Sequence, residues 1–352
     1  MNHGDQKTVF VGLSGGVDSS VAAHLLLEQN YNVVGVFIRT WQPEFIECTW
    51  RDERRDAMRV AAHLGIPFLE CDAEDAYKKG VADYMIAEYK IGRTPNPDVM
   101  CNREVKFGVF WQFAKEHGAD FIATGHYART DNTLLKTGID ESKDQSYFLW
   151  TLTEEDLAHT LFPVGHLQKS EVRIIAERAG LMTAAKKDSQ GVCFLGPLDM
   201  KDFLKHYLQS EQGNVLNEEG QKIGTHDGAM FYTLGERHGF SITEKNPDDG
   251  ACYVIAKDIQ KNTIIVSQTQ PFEKNSAVGM KEINLENVII RGALPTKKIT
   301  ACVRYHGEQY SGSLMKQEDN YMFHFDQPVL VAPGQSVVFF DGEICVGGGV
   351  VS

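Results

Sequence analysis

The sequence predicts an α/β protein in which a doubly wound parallel-sheet domain is followed by a small linker domain and a C-terminal β-barrel. Three observations lead to this prediction. Apolar strand-like runs alternate with helical patterns over residues 1–125, turn residues become dense near Ser210, and only short strand patterns follow Gly279. A chain of 352 residues is also longer than one ordinary compact core. We therefore expect domains at residues 1–208, 209–277 and 278–352.

The first domain contains apolar runs that are typical of buried parallel strands, at residues 8–13, 33–38, 67–71 and 120–124. Residues 17–25 and 57–64 lie between these runs and carry apolar side chains at helical spacing. A further helix is predicted over residues 154–181, where Gly180 is a stop signal. This alternation of strands and helices predicts the parallel sheet.

The linker and barrel domains are predicted from short strand patterns punctuated by turn residues. In the linker, residues 252–256 and 263–267 have this pattern. In the barrel it recurs at residues 287–290, 299–305, 309–315, 321–325, 336–340 and 344–351. Regular spacing of such strands is typical of a small closed barrel.

The charge of the chain argues against a polyanionic partner when it is taken alone, because the net charge is −13. Residues 291–305 nevertheless contain four basic and no acidic side chains, and a second small basic cluster is Lys186-Lys187. A local basic face for RNA and an ordinary solvated surface explain these residues equally well.

The seven cysteines are odd in number and contain no C-x-x-C pair, which disfavours a disulfide scaffold, a zinc ribbon or another metal site. No apolar run approaches the roughly 18 residues that a membrane span requires. The first residues lack the pattern of a signal or transit peptide. We therefore expect a cytoplasmic protein without a membrane partner.

The strongest pattern is a strand, a glycine-rich turn and a helix start, with the sequence Ser14-Gly15-Gly16-Val17-Asp18-Ser19-Ser20. Glycines allow a tight turn against a ligand, and the N–H groups at a helix start attract anions. A Walker A loop requires a lysine here, so kinase and GTPase chemistry is disfavoured. The motif resembles the pyrophosphatase loop of enzymes that split ATP between the α and β phosphates. The alternative is a turn whose Asp18 and Ser19 only favour the helix start.

Two further segments pair a cysteine with polar or charged neighbours. In the first, prolines at 95 and 97 stiffen the segment and exclude a regular helix, so we expect Asp98 and Cys101 on or beside a rigid loop. Their spacing of three residues suits proton transfer beside a nucleophile. In the second, Cys193 follows Lys186-Lys187, which predicts a favoured thiolate. For either segment alone, a packed structural cysteine is the simpler interpretation.

These motifs together resemble the bacterial tRNA-specific 2-thiouridylases, the MnmA family. The resemblance includes the glycine-rich loop, residues 92–98 with Cys101, residues 123–127, residues 143–148, the Cys193 segment, residues 233–237 and residues 333–335. It therefore covers essentially the full chain. One segment departs from the family pattern, since Arg39-Thr40-Trp41-Gln42-Pro43 replaces an Asn-Trp pair followed by acidic residues.

The resemblance implies an ATP-pyrophosphatase-loop (adenine nucleotide alpha-hydrolase-like) fold and a set of site residues. ATP, with magnesium, would be held by Gly12, Leu13, Ser14, Gly15, Gly16, Val17, Asp18, Ser19, Ile38 and Gly125. The target base would meet Asn96, Pro97 and Asp98, with Asp98 as general acid or base. The rest of the tRNA would contact His126, Lys143, Asp144, Gln145, Arg304, Tyr305 and Gln335.

The resemblance also implies the reaction. The wobble uridine of tRNA would be adenylated on its C2 oxygen, and sulfur would then replace that oxygen with release of AMP. Cys193 would carry a persulfide received from a sulfur-relay protein or a cysteine desulfurase, and Cys101 would be its catalytic companion. Two alternatives remain: an amidotransferase-type synthetase that adenylates a small carboxylate or carbonyl, and a nucleotide-binding regulatory module.

Overall fold

A computed structural model describes residues 6–46, 50–188, 191, 193–196, 198–243, 250–269, 279–295, 297–318 and 320–352. The chain forms two compact units, each assembled from separate stretches of sequence. The N-terminal unit comprises Met1–Ala82, Pro97–Pro197 and Glu343–Val346. The C-terminal unit comprises Asp83–Asn96, Leu198–Gly342 and Gly347–Ser352. The predicted boundary at residues 277 and 278 lies outside the described residues, and the three-domain division stays a prediction.

The N-terminal unit is built on a five-stranded parallel sheet. In chain order, the strands of this unit are β1 Thr8–Gly12, β2 Asn32–Arg39, β3 Phe68–Asp72, β4 Phe121–Ala123, β5 Ala128–Asp131, β6 Leu134–Thr137 and β7 Thr160–Leu161. Strands β5 and β6 form a hairpin that lies outside the parallel sheet. The strand order is β3-β2-β1-β4-β7. The central strands are almost entirely apolar because both faces are covered, and Val9, Val11 and Val36 are fully buried. The predicted parallel sheet is confirmed.

Helices cover the sheet and follow its strands. In the N-terminal unit they are α1 Val17–Glu28, α2 Trp50–Leu64, α3 Glu74–Tyr77, α5 Pro97–Cys101, α6 Phe110–Glu116, α7 Glu154–Ala158 and α8 Lys169–Arg178, and the C-terminal unit contains α4 Tyr84–Lys90 and α9 Met200–Lys205. π-Helical segments occupy Lys78–Asp83 and Asn102–Val109, and 3₁₀ turns occupy Ser146–Leu149 and Ala229–Phe231. Within the described ranges, every helix is too short or too polar to cross a membrane.

The single helix predicted over residues 154–181 is wrong. The chain forms α7, then strand β7, and only then α8. Pro163 cannot continue a helix, and Gly165 passes so close to Ala128 that an added Cβ would lie 1.6 Å from the Ala128 carbonyl oxygen. Pairing of Thr160 with Ile122 therefore extends the parallel sheet at this point.

Strands β5 and β6 form a hairpin that the sequence patterns do not predict. Asn132 has a φ of 55°, which suits the tight turn between the two strands. The C-terminal segment Glu343–Val346 completes this hairpin, because Ile344 pairs with Lys136 and Cys345 pairs with Leu135. The short segment Glu343–Val346 is thus part of the N-terminal unit, whereas Gly347–Ser352 belongs to the C-terminal unit.

The C-terminal unit contains a five-stranded sheet of order β10-β9-β8-β12-β11. Its strands are β8 Gly213–Leu216, β9 Lys222–His226, β10 Ser241–Ile242, β11 Tyr253–Asp258 and β12 Thr263–Ser267. Strands β8 and β12 are parallel, whereas β11 and β12 are antiparallel. Both strands that the sequence predicts in the linker are confirmed as β11 and β12.

The remaining strands close into a barrel. They are β13 Met280–Ile290, β14 Ile299–Cys302, β15 Gln309–Gln317, β16 Asn320–Val329, β17 Ser336–Asp341 and β18 Ile344–Val351. Pairing runs in the order β13-β16-β15-β14-β17-β18, and Leu285 of β13 pairs with Val351 of β18 to close the circle. Phe323, Phe325 and Phe339 are fully buried, and the rings of Phe323 and Phe339 stack at 5.3 Å. The predicted barrel is confirmed.

Candidate active site

The loop between β1 and α1 folds back on its own hydroxyl groups. The Ser14 amide donates to Ser19 Oγ at 3.2 Å, and the Gly16 amide donates to Ser14 Oγ at 3.3 Å. Ser20 Oγ in turn donates to the Gly16 carbonyl at 2.7 Å. Leu13 anchors the loop to the sheet through its amide, which donates to the Val36 carbonyl at 2.7 Å. The loop is therefore held in one shape by its own residues.

The first turn of α1 is suited to bind an anion. Its N-cap is Gly16, and no side chain caps the helix. The amides of Val17 and the residues after it therefore lie at the positive end of the helix dipole, which favours a phosphate. Gly15 has a φ of 72°, and a Cβ there would lie 2.6 Å from the Glu53 carbonyl, so only glycine allows this turn beside α2.

The structure brings the other predicted ATP residues to this loop. A Cβ added to Gly12 would contact Ile38 Cδ1 at 3.7 Å. A Cβ added to Gly125 would lie 2.7 Å from the Ser19 amide nitrogen, so the backbone at Gly125 packs directly on the first turn of α1. These contacts place Gly12, Ile38 and Gly125 next to the loop between β1 and α1.

Lysines from elsewhere in the sequence supply the positive charge that the loop itself lacks. Lys169 Nζ donates to both oxygens of Asp18, at 2.7 and 2.8 Å, and Tyr127 Oη donates to the same carboxylate at 2.7 Å. Lys186 Nζ donates to the Gly15 carbonyl at 3.0 Å and to Asp56 at 2.8 Å. The ammonium groups of Lys169 and Lys186 thus lie against the loop between β1 and α1, although neither lysine is part of the glycine-rich sequence motif.

Asp98 and Cys101 lie in helix α5 rather than in the non-helical loop that the prolines predict. The prediction is wrong because Pro97 occupies the first position of the helix, where the missing N–H costs nothing and the fixed φ suits the helix. Asp98 is in the first turn and Cys101 is the last residue. The π-helical segment Asn102–Val109 continues directly from it.

The two cysteines meet although they are 92 residues apart in sequence. Cys101 Sγ lies 3.4 Å from Cys193 Sγ, and Cys101 is fully buried. The Cys193 amide donates to Asp98 Oδ1 at 2.9 Å, and Tyr77 Oη donates to the Cys193 carbonyl at 2.8 Å. Gln42, from the segment that departs from the family pattern, donates to the Phe194 carbonyl at 3.1 Å.

The electrostatic environment shifts the pKa values of the two thiols in opposite directions. The pKa of Cys193 is lowered to about 7, first by the hydrogen bond from Cys101 and then by the Lys106 ammonium, against the opposing effect of burial. Burial and that same hydrogen bond raise the pKa of Cys101. Burial likewise raises the pKa of Asp98, although the bond from the Cys193 amide opposes this. Cys193 is thus the more acidic thiol of the pair.

The cation beside Cys193 is Lys106, which corrects the prediction that Lys186-Lys187 supplies it. Lys106 follows Cys101 by five residues, and a π-helical segment brings residues at that spacing close together. Sequence patterns based on the α-helical period overlook this pairing. Tyr77 and Lys169 were also missed, because only the tertiary structure brings them to the site.

The predicted tRNA residues of the N-terminal unit are mostly engaged within it. His126 is 7% exposed and faces Lys106. Asp144 accepts hydrogen bonds from Gly138 and Ser146, and Gln145 accepts one from the Tyr127 amide. Lys143 is more exposed, although it pairs with Asp188 at 2.8 Å. Pro97, the first residue of α5, is half-buried, and so is Asn96, which belongs to the C-terminal unit.

The predicted tRNA residues of the C-terminal unit differ in exposure. Arg304 and Tyr305 are exposed in the turn after β14, whereas Gln335 is half-buried and accepts a hydrogen bond from the Ala332 amide. In the surrounding basic segment, Lys297 pairs with Asp341 and Lys298 with Asp326, both at 2.8 Å. The segment is thus less basic than its sequence alone predicts.

The other cysteines that the structure describes do not join the pair. Cys71, Cys302 and Cys345 are buried and Cys252 is half-buried, each outside a disulfide, while Cys48 lies outside the described residues. In the part of the chain that the structure describes, no group of three or more His, Cys, Asp or Glu side chains is placed to hold a metal ion.

Comparisons with known proteins cover the whole length. Three family models match in order: the tRNA methyl transferase HUP domain at residues 7–197, the tRNA methyl transferase PRC-barrel domain at residues 201–268, and the aminomethyltransferase beta-barrel domain at residues 282–351.

Similar full-length relatives share one description, tRNA-specific 2-thiouridylase MnmA. That of Pseudomonas savastanoi pv. phaseolicola is 45% identical over 360 residues, covering 99% of this chain and 95% of the relative. That of Shewanella pealeana is 45% identical over 355 residues, covering 98% and 96%. That of Pseudomonas fluorescens is 46% identical over 356 residues, covering 98% and 95%.

Proposed function

Since the chain belongs to the MnmA family of tRNA-specific 2-thiouridylases, we propose that it thiolates the wobble uridine of tRNA through a persulfide on Cys193. The reaction is an ATP-dependent sulfur transfer to tRNA. The observation that carries the persulfide assignment is the 3.4 Å approach of the Cys101 and Cys193 sulfurs beside Asp98. We infer a cytoplasmic location, where tRNA and thiol reductants are available.

The first step is activation of the base. The C2 oxygen of uridine attacks the α-phosphorus of ATP, a new O–P bond forms, and pyrophosphate leaves. The uncapped first turn of α1 is suited to hold the phosphates, and Lys169 and Lys186 lie close enough to balance their charge. Magnesium would accompany ATP on its phosphate oxygens. Adenylation turns a poor leaving group, the carbonyl oxygen, into a good one, AMP.

The second step loads sulfur onto Cys193. Its thiolate attacks the outer sulfur of a persulfide on a sulfur-relay protein or cysteine desulfurase. A new S–S bond forms, the donor's S–S bond breaks, and the donor cysteine leaves as a thiolate. A pKa of about 7 supports this role, because a large fraction of Cys193 is then ionised at neutral pH.

The third step transfers that sulfur to C2, by either of two routes. The persulfide attacks C2 and expels AMP, after which Cys101 attacks Cys193 Sγ and releases 2-thiouridine. Alternatively Cys101 attacks first and releases hydrosulfide, which then displaces AMP. Both routes leave a Cys101–Cys193 disulfide that a thiol reductant must reduce by exchange. Asp98, whose pKa is raised by burial, is the group suited to exchange protons beside this step.

The decisive test is the dependence of pyrophosphate release on tRNA. The purified protein is incubated with ATP and one of three additions: unmodified tRNA, a set of small carboxylates, or nothing. Pyrophosphate release is measured in each mixture. Formation of 2-thiouridine is measured with and without a persulfide donor. We expect release only with tRNA, and 2-thiouridine only when the donor is added. Release with carboxylates would favour a synthetase, and binding of ATP without release in any mixture would favour a regulatory module.

We further propose that Arg304 and Tyr305 contact tRNA, because an exposed guanidinium and an exposed ring at one turn can bind a phosphate and stack on a base. Arg304→Ala is expected to weaken tRNA binding and to reduce the slope of log affinity against log salt by about 1. Filter binding at several salt concentrations measures both quantities.

Lys298→Ala is the matched control for Arg304→Ala. Lys298 lies in the same basic segment, but its ammonium is already compensated by both oxygens of Asp326, at 2.8 and 2.9 Å. Its removal should change the salt slope less. Equal losses in the two variants, or none in either, would assign the RNA-binding surface to other residues.

A further inference from the structure

The backbone around Cys193 is held by side chains from three other segments of the N-terminal unit. Asp98 accepts a hydrogen bond from the Cys193 amide at 2.9 Å, and Tyr77 Oη donates to the Cys193 carbonyl at 2.8 Å. Gln42 Nε2 donates to the next carbonyl, that of Phe194, at 3.1 Å. Asp98 exchanges protons in the proposed reaction, whereas Tyr77 and Gln42 have no role in its steps.

We propose that Tyr77 and Gln42 are positioning residues for sulfur transfer, whose hydrogen bonds to two successive carbonyls keep Cys193 Sγ directed at Cys101. The proposal rests on the proposed function of Cys193 as the residue that carries sulfur. Neither Tyr77 nor Gln42 is among the residues that the resemblance implies for the site.

Phe194, the residue after Cys193, has an unusual backbone conformation. Its φ is 64°, in the left-handed region that is uncommon for residues other than glycine and unfavourable for a bulky one. Such a conformation persists only where the surrounding structure holds it. The carbonyls of Cys193 and Phe194 belong to the two peptide groups that flank the Phe194 Cα. The hydrogen bonds from Tyr77 and Gln42 therefore fix both the φ and the ψ of Phe194.

The same hydrogen bonds restrict the side chain of Cys193. Asp98 holds its amide and Tyr77 holds its carbonyl, so the peptide groups on both sides of the Cys193 Cα are fixed. The direction of the side chain then depends on one torsion, χ1, which has three staggered positions. In the position observed, Cys193 Sγ lies 3.4 Å from Cys101 Sγ. Attack of one sulfur on the other therefore requires little movement.

Tyr77 is well suited to this role. It is the last residue of α3 and is fully buried. Burial raises the pKa of its phenol, so the hydroxyl keeps the proton that it donates. The ring also packs edge-to-face on that of Phe194, with the ring centroids 6.0 Å apart and the planes at 89°. One side chain thus holds Phe194 through both its backbone and its ring.

Gln42 lies in the segment that departs from the family pattern, in which acidic residues follow the tryptophan. An ionised carboxylate only accepts hydrogen bonds, so it cannot donate to the Phe194 carbonyl, whereas the amide of Gln42 can. The second restraint on Phe194 is thus supplied by the departing sequence itself.

The test measures how effectively the two thiols meet, without tRNA or ATP. The intact protein is equilibrated in a series of glutathione redox buffers. Cys101 and Cys193 lose two electrons and two protons to one glutathione disulfide, which becomes two glutathione thiols, and an S–S bond forms between the two cysteines. After acid quenching, alkylation with iodoacetamide and mass spectrometry of the Cys193 peptide give the reduced fraction in each buffer. The midpoint of this alkylation profile gives the effective concentration of one thiol toward the other.

The wild-type protein should form the disulfide. Tyr77→Phe keeps the ring but removes the hydroxyl, and should lower the effective concentration about fivefold or more, as the loss of one hydrogen bond implies. Gln42→Leu should lower it about twofold or more, because its hydrogen bond is longer. Tyr89→Phe is the matched control: it removes the hydroxyl of another buried tyrosine, in helix α4 of the C-terminal unit, and should leave the effective concentration unchanged.

A Tyr77→Phe protein that melts like the wild type and has the same effective concentration would overturn the proposal. If Tyr77→Phe does not fold, an unchanged value in Gln42→Leu would do so instead. Equal losses in Tyr77→Phe and Tyr89→Phe, or a wild-type protein that forms no disulfide in any buffer, would also overturn it. Failure of the persulfide assignment is recognised separately, because a donor would then load sulfur onto another cysteine while the redox midpoint stayed the same.

Discussion

Replacement of Cys193 by serine should abolish 2-thiouridine formation, by more than about 10³-fold, while adenylation of tRNA continues. Serine cannot hold a sulfane sulfur, but it leaves the loop at the start of α1 untouched. Cys101→Ser should have the same effect, because its sulfur lies 3.4 Å from that of Cys193 and is therefore placed to complete the transfer. The measurements are nucleoside mass spectrometry for 2-thiouridine and pyrophosphate release for adenylation.

Cys252→Ser is the control for both variants, since Cys252 is a half-buried free thiol of the C-terminal unit. It should thiolate at nearly the wild-type rate. A persulfide donor should load one sulfur onto the wild-type protein, and the modified peptide should contain Cys193. Detection of that sulfur on Cys48 or Cys252, together with an active Cys193→Ser enzyme, would require a different mechanism.

Gly125→Ala should reduce tRNA-dependent pyrophosphate release by about 10²-fold or more. An added Cβ would lie 2.7 Å from the Ser19 amide nitrogen and 2.8 Å from the Asp18 carbonyl carbon. Both are backbone atoms of the first turn of α1 and cannot swing aside as a side chain would. The helix start must therefore shift away from Gly125, which misplaces the amides that hold the phosphates.

The matched control is Gly250→Ala, because an added Cβ at Gly250 would meet no atom within 4 Å. This variant should release pyrophosphate at the wild-type rate, and both proteins should be compared by thermal melting. If Gly125→Ala is folded and fully active in pyrophosphate release, the nucleotide cannot depend on the first turn of α1. The Cys193 alkylation profile of that variant would then show whether the thiol pair is also undisturbed.

The parts of the molecule that could be predicted from sequence are those specified by local pattern. Uninterrupted apolar runs predicted the strands of the parallel sheet, and the strand–glycine–helix pattern predicted the loop before α1. The same reasoning failed at residues 154–181, because helices lie on both sides of the short strand β7 and their apolar spacing dominates the pattern. A two-residue strand carries too few side chains for any period to be detected.

The residues that were missed at the site share a physical cause. Lys106 reaches Cys101 through a π-helical turn, and Tyr77 reaches Cys193 across 116 positions of sequence. Neither contact follows from a repeat of 3.6 or 2 residues. The opposite error was made for Lys186, which is near Cys193 in sequence but is bound to Asp56 and Gly15 in space.

The C-terminal strand has a consequence for how the protein is made. The hairpin of β5 and β6 belongs to the N-terminal unit, yet the segment that pairs with β6 is Glu343–Val346. Arg129 and Lys136 of the hairpin also form ion pairs with Glu343. A ribosome that has synthesised both reactive cysteines has still to produce strands β8 to β17 before that segment emerges. Until then the nascent chain exposes the unpaired edge of β6, which is a site for misassembly. The unit that carries the reactive thiols is thus completed only after most of the barrel has been translated, and a chain that terminates before residue 343 never contains it whole.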